Sequence, residues 1–231
     1  MKIHIFYSHY NIEGKGNKYR PHWFDYEKCF INLLNTIEGK DIDLHLVMDG
    51  KVEDNWIRKY KDRYITHEIV GGDMRSAGWQ MFKIALDLET IQDDDLIYFL
   101  ENDYLHVKGW DEAVLELYKA YEGLNYVALY DALDKYYAPM YDDLVSKIFS
   151  TNKRHWRTTP STCGSFIVPK KLWKEDYSFH TSIEGDHNKW VAIYEEKGRF
   201  ILSPMPGYST HCMDTLLAPT IDWKLISENS I

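Results

Sequence analysis

Cysteine is scarce. Cys29, Cys163 and Cys212 are the only three in 231 residues, an odd number without CxxC spacing, which supports neither a disulfide framework nor a zinc ribbon and suits a reducing compartment. No run of ~18 apolar residues occurs, so no transmembrane segment is expected. Met1 to Tyr7 is too short in apolar length for a signal peptide, which leads us to expect a cytoplasmic protein. Repeats, low-complexity tracts and Gly/Ser linkers are missing too, so nothing in the composition marks a boundary and one domain over 1–231 is expected. Positive charge is in deficit: 27 Lys and Arg face 36 Asp and Glu, a net charge of −9. That balance opposes attraction to nucleic acid, which is not expected as a partner, and no polybasic membrane anchor appears.

What the chain does have is apolar and aromatic material. At 45% hydrophobic, with 18 Tyr and 8 Trp, it is neither disordered nor collagen-like, and a chain of this length buries an ample core. Strand and helix signals alternate from the start, which predicts an α/β fold with a mostly parallel central sheet flanked by helices. Residues 2–8 read as the first strand. Tyr26, Cys29, Phe30, Leu33, Leu34 and Ile37 recur at helical spacing after the capping residue Asp25, with Gly39 as a stop. A strand follows over 42–48 and ends at Asp49-Gly50. A second helix is predicted between Ser76 and Glu89, and the run Asp95 to Leu100 reads as a strand buried on both faces. Trp110 to Tyr121 marks a third helix and 126–130 another strand. A less regular stretch from 133 to 160 precedes a strand at 165–168, a helix at 187–196 and a late strand at 200–202.

The buried strand stops abruptly at Glu101-Asn102-Asp103. Ligands of open α/β sheets bind outside the carboxyl ends of strands, and Mg²⁺ or Mn²⁺ takes oxygen ligands while bridging one or two carboxylates to phosphates. Glu101 and Asp103 are two apart, so they share a site only if the backbone turns there. Glu184 and Asp186 precede a helix and are acid-base candidates whose plainer role is capping that helix. His211 is a candidate ligand, Arg75 a candidate partner for a diphosphate, and Tyr7 and Ser8 end the first strand. The basic stretch Lys153 to Arg157 is either a mobile loop over phosphates or a solvated face.

These segments, in this order, resemble the family 2-like glycosyltransferases of GT-A fold. Val47-Met48-Asp49-Gly50 is similar to that family's strand-end acid that contacts the base, and Gly72 to Gly78 to its Gly-rich lead into a helix. Leu96 to Asp103 resembles its hydrophobic strand ending in DxD, with Glu in the first acidic place. Cys163-Gly164-Ser165-Phe166-Ile167-Val168 looks like its acceptor-side strand, and Glu184-Gly185-Asp186-His187 stands where its acidic catalytic motif lies. The resemblance implies a nucleotide-diphosphosugar transferase-like fold, with a donor-binding half over 1–105 and an acceptor-side half over 106–231. It also implies a nucleotide-diphosphate sugar as donor, a carbohydrate or other hydroxyl acceptor, inversion at the transferred carbon, and Mn²⁺ or Mg²⁺ held by Asp103 and His211. Tyr7, Ser8, Asp49, Arg75, Glu101 and Asn102 are the expected donor contacts. Asp186 is the first choice of base and Glu184 the second. Two alternatives stay open. One is a nucleotidyltransferase of related fold, for which Gly14-Lys15-Gly16-Asn17-Lys18 is a pale phosphate-loop echo; the other is a sugar-nucleotide-binding module without turnover.

Overall fold

The computed structural model describes residues 1–10, 19–50 and 56–230, and the Gly14 to Lys18 stretch lies outside them. In chain order the elements are β1 (Ile3–Tyr10), α1 (Tyr26–Ile37), β2 (Ile42–Asp49), β3 (Ile65–Ile69), α2 (Met74–Asp87), β4 (Leu96–Glu101), β5 (Tyr104–His106) and α3 (Trp110–Ala120). They continue with β6 (Tyr126–Val127), β7 (Ile148–Ser150), β8 (His155–Thr159), β9 (Phe166–Pro169), α4 (Lys170–Ser182), α5 (Asp186–Lys197), β10 (Ile201–Met205), β11 (Ser209–His211) and α6 (Trp223–Glu228). The nine-stranded sheet runs β3-β2-β1-β4-β9-β6-β10-β8-β7, and β5 with β11 forms a separate two-stranded piece. β3, β2, β1 and β4 are mutually parallel, whereas β9 and β8 run against their neighbours. The sheet is therefore mostly parallel, as expected.

Period-2 alternation on β4 explains the packing. Leu96, Tyr98 and Leu100 belong to the core on the α1, α3 and α6 side; Ile97 and Phe99 belong to the core on the α2, α4 and α5 side. A strand covered on both faces needs an unbroken apolar run, which is how this segment reads. Each such side chain contributes about 1.5–3 kcal/mol on burial. Burial of the central strands thus sets where the sheet stops and the polar edge begins.

Capping matches the local chemistry. Asp25 accepts from Lys28 N at the start of α1, and Asp73 accepts from Arg75 N and Ser76 N, so α2 begins two residues before the expected Ser76. The expected strand at 126–130 is shortened to two residues, after which Tyr130 makes only an isolated bridge to Ser209. The irregular stretch contains an antiparallel pair, β7 with β8. This corrects the loop reading of 153–157: Trp156 is wholly buried, Arg157 is 7% exposed, and Arg157 is paired with buried Asp131 at 2.8 Å. Helix α4 went unread because its buried positions are Lys170, Trp173, Asp176 and His180, which make no apolar stripe. Lys170 instead donates to the carbonyls of Ala85, Leu86 and Leu88 at the end of α2, joining the two helices. Among the described residues no helix is long and apolar enough to cross a membrane.

Candidate functional site

Strand register brings the first site residues together. Ser8 on β1 stands opposite Glu101 on β4, and Tyr10 opposite Asp49 on β2, so the carboxyl ends of three parallel strands present Ser8, Asp49 and Glu101 along one edge. Asp49 is buried. Its Oδ1 accepts from Gly71 N at 2.7 Å, while Oδ2 is buried without a hydrogen-bond partner. Tyr7, by contrast, packs into the core against Phe30 and reaches the site only through its hydroxyl, 3.4 Å from Asn102 O. Asn102 in turn meets His9 through its side-chain amide at 3.3 Å.

After Glu101 the backbone turns and re-enters as β5, which pairs with β11 so that Tyr104 faces His211. Asn32 on α1 holds this short strand in place: its amide donates to His106 O at 3.1 Å and accepts from His106 N at 2.6 Å. The consequence is a buried polar knot at Asp103. His211 Nε2 lies 3.0 Å from Asp103 Oδ2, the His211 ring is stacked parallel on Tyr104 with 5.0 Å between centroids, and Arg20 donates to the same Oδ2. Arg20 also donates to Cys212 O at 2.9 Å, tying Asp103 to the chain just past His211. Asp103 Oδ1 is buried without a partner.

Electrostatics follow from that arrangement. Burial, reinforced by the neighbouring Asp103 charge, pushes Glu101 up to about 7, with His211 pulling the other way. Burial alone would raise Asp103, but His211 and then Arg20 outweigh it and hold it below the usual carboxylate range. His211 is pushed up to about 11 because hydrogen bonding to Asp103 and Cys163, with the carboxylate charges, overcomes its burial. The site therefore holds an ionised Asp103 between two cations and a Glu101 poised near neutrality.

Glu101 is seated by the strand beside it. Its N–H donates to Ser165 Oγ at 3.0 Å, and that hydroxyl lies 3.3 Å from Glu101 Oε2. Gly164 lets the chain pass close to this carboxylate: a Cβ there would stand 3.0 Å from it, so Glu101 would have to shift by a few tenths of an ångström. Glu101, Gly164 and Ser8 then form one part of a cavity of about 610 Å³, which Arg75, Trp79, Glu184 and Asp186 also line.

Arg75 is not free in this cavity; it reaches Glu184 at 2.7 Å, both side chains being exposed. Asp186 opens α5 without capping it, since the cap is Gly185 with no side-chain bond, and its carboxylate pairs with Lys189 at 3.0 Å. Register, turn and cavity thus gather Ser8, Arg75, Glu101, Glu184 and Asp186 at one place and Asp103 with His211 in a knot behind it. Asp49 lies on the same sheet edge, two strands from Glu101 on β2, outside the cavity. Arg20 escaped the sequence reading, having no motif to mark it and a partner 83 residues away.

A metal would meet an oxygen and a nitrogen donor in Asp103 and His211, with the unpartnered Asp103 Oδ1 as a further lone-pair site. Among the described residues no three His, Cys, Asp or Glu converge. Two protein donors are consistent with Mn²⁺ or Mg²⁺, which fill their remaining positions with water and phosphate oxygens.

No family model matches the sequence, and no curated protein matches it either. Solved structures do share the fold. A protein described as a nucleotide-diphospho-sugar transferase from Desulfovibrio desulfuricans G20 superposes with a TM-score of 0.52 at 11% identity, over 87% of this chain and 78% of that one. CMP:2-keto-3-deoxy-manno-octonic acid synthetase, solved with CTP, gives 0.53 at 10% identity over 90% and 92%. S. aureus TarS 1-349 gives 0.51 at 12% identity, over 88% of this chain and 58% of that one. At such identities the likeness is one of fold, and the fold is that of GT-A-like nucleotide-sugar transferases.

Proposed function

We propose that the protein is an inverting glycosyltransferase that moves a sugar from a nucleotide-diphosphate donor to a hydroxyl acceptor. The observation that carries this reading is that one cavity is lined by Glu101 from the end of β4 and by Asp186 from the start of α5, with Asp103, two residues past Glu101, paired to His211. Asp49 Oδ2, unpartnered but buried, would accept from the edge of a base once uncovered. Ser8 and Asn102 flank the path from base to sugar. Asp103 and His211 are the residues that would hold Mn²⁺ or Mg²⁺, which neutralises charge on the departing phosphate oxygens when bound.

In the transfer step the bond from the donor sugar's anomeric carbon to the phosphate oxygen breaks, and its electron pair leaves with the diphosphate. The acceptor oxygen forms the new bond on the opposite face and its proton passes to the Asp186 carboxylate. Glu101, near neutrality, offers a hydroxyl donor or a carboxylate acceptor to the donor sugar. Glu184, exposed and tied to Arg75, is the second choice of base. The Ser165 hydroxyl keeps Glu101 in position throughout.

The fold is shared with a CTP-bound synthetase, so a nucleotidyltransferase is the reading to test against. Incubation with UDP-, GDP- and dTDP-sugars plus Mn²⁺ should release nucleoside diphosphate and raise the melting temperature. Pyrophosphate release from CTP or UTP with a sugar phosphate would assign nucleotidyl transfer instead, and stabilisation without turnover would leave a binding module. Absence of any thermal shift with every sugar nucleotide and metal overturns the proposal.

A further inference from the structure

Tryptophan is mostly a core residue in this chain. Trp110, Trp156, Trp173, Trp190 and Trp223 are buried to 2% exposure or less, yet Trp79 is 40% exposed, and it stands in the wall of the cavity that holds Glu101 and Asp186. Met74, five residues earlier on the same helix, is 87% exposed and lines the same cavity. The Arg75 guanidinium lies 5.7 Å from the centroid of the Trp79 ring; the exposed part of the indole and the Met74 thioether face the cavity, an exposure without packing benefit.

Between them lies Gly78. It sits in the interior of α2, where glycine weakens a helix relative to alanine. Elsewhere in this site a glycine stands where a Cβ would be tightly placed, as at Gly164 against Glu101. At Gly78 nothing lies within 4 Å of where a Cβ would stand, so neither packing nor backbone conformation accounts for it. The space it leaves open is part of the cavity, beside the Trp79 indole.

We infer that this face of α2, Met74, Gly78 and Trp79, is a subsite for the acceptor, and that the acceptor presents a pyranose ring there. A pyranose offers a face of C–H groups that stacks on the electron-rich face of an indole, and a rim of hydroxyls. Arg75, which the sequence suggested as a donor contact, is joined to Glu184 at 2.7 Å at the same cavity, and in this subsite the two supply charged hydrogen-bonding groups for that rim instead. A ring lying over Gly78 against Trp79 shares its cavity with Asp186, the group that would take its proton. The inference rests on the glycosyltransferase reading and adds the chemical class of the acceptor.

The test uses the whole protein labelled with 5-fluorotryptophan, with the Trp79 resonance assigned through Trp79→Phe. Methyl glycosides of glucose, galactose, mannose and N-acetylglucosamine are titrated in one arm and UDP-sugars in the other. At least one free glycoside should shift the Trp79 resonance saturably. Gly78→Ala should raise the melting temperature by about 2 °C while weakening that glycoside about tenfold, since its methyl group takes the ring's place. If no free glycoside moves Trp79, or if Gly78→Ala binds them as tightly as the parent, the subsite is overturned. A UDP-sugar that shifts Trp79 when no free glycoside does would reassign the platform to the donor. Glycoside binding at Trp79 without any nucleotide-dependent thermal shift would keep the sugar platform and overturn the transferase, so the two failures are distinguishable.

Discussion

His211 Nε2 lies 3.0 Å from Oδ2 of Asp103, 108 residues earlier in the chain, and that same oxygen accepts from Arg20. One carboxylate oxygen is therefore shared by two cationic groups while the other is buried without a partner. A buried carboxylate left alone would be strongly destabilised, and its two partners offset that desolvation. An incoming metal ion must compete with both.

Asp103→Asn and Asp186→Asn should separate binding from turnover. Asp103→Asn is expected to abolish Mn²⁺-dependent thermal stabilisation. Asp186→Asn should keep the nucleotide-dependent thermal shift and lower turnover by roughly 10²–10⁴-fold, the usual contribution of a general base. Equal donor binding and equal turnover in the two variants would contradict both assignments.

Arg20→Ala should leave Asp103 Oδ2 with His211 as its remaining cationic partner. Manganese binding in the absence of nucleotide, followed by electron paramagnetic resonance of the free ion, is expected to tighten. The fold should lose up to about 3 kcal/mol because a buried charge has lost a partner. Unchanged or weaker manganese affinity would mean that Arg20 does not compete for the site.

Metal uptake should release a proton. Asp103 and Cys163 hold His211 protonated, up to about 11, whereas an imidazole must be neutral to ligate. Calorimetry near pH 7.5 in buffers of different ionisation enthalpy should report about one proton released per metal bound. No buffer dependence would exclude His211 as a ligand.

Acid should destabilise the fold through other histidines. Burial lowers His9 to about 4, His45 to about 4 and His106 to about 3, with His67 and His4 adding to the effect at His45. The unfolded chain takes up these protons near 6.5, so the stability they contribute is whole above that pH and is lost as pH falls from 6.5 towards 4. Between pH 7 and pH 5 the loss is about 2 kcal/mol for each histidine. His211 has the opposite sign, its contribution being present below 6.5 and lost as pH rises towards about 11. Denaturant midpoints at the two pH values measure the balance, and equal midpoints would refute the prediction.

Much of this fold is legible locally, and the reason is periodicity. The continuous apolar run at Leu96 to Leu100 reads as a strand buried on both faces because side chains alternate between two cores. Asp25 before an apolar-periodic segment reads as a cap because its short carboxylate can accept from the first N–H groups, which have no partner within the helix. Helix α4 is hidden because its buried positions are Lys170, Asp176 and His180 alongside Trp173, partnered by groups far away in sequence. The strand β8 reads as a mobile loop or a solvated face because the partner that lets Arg157 be buried, Asp131, is invisible without the fold.

The same division holds at the candidate site. That a strand ends in Glu101-Asn102-Asp103, and that Glu184, Asp186 and His211 follow in this order, is determined by the sequence alone. Which of these acids share a cavity, and which is locked to a cation, is decided by tertiary structure. Ser8 meets Glu101 through parallel register, His211 meets Asp103 through the antiparallel pairing of β5 with β11, and Arg20 arrives from a separate part of the chain. These contacts join residues tens to a hundred positions apart, and no local propensity encodes them. They exist because burying both faces of the sheet leaves its carboxyl edge as the place where the polar groups must satisfy one another.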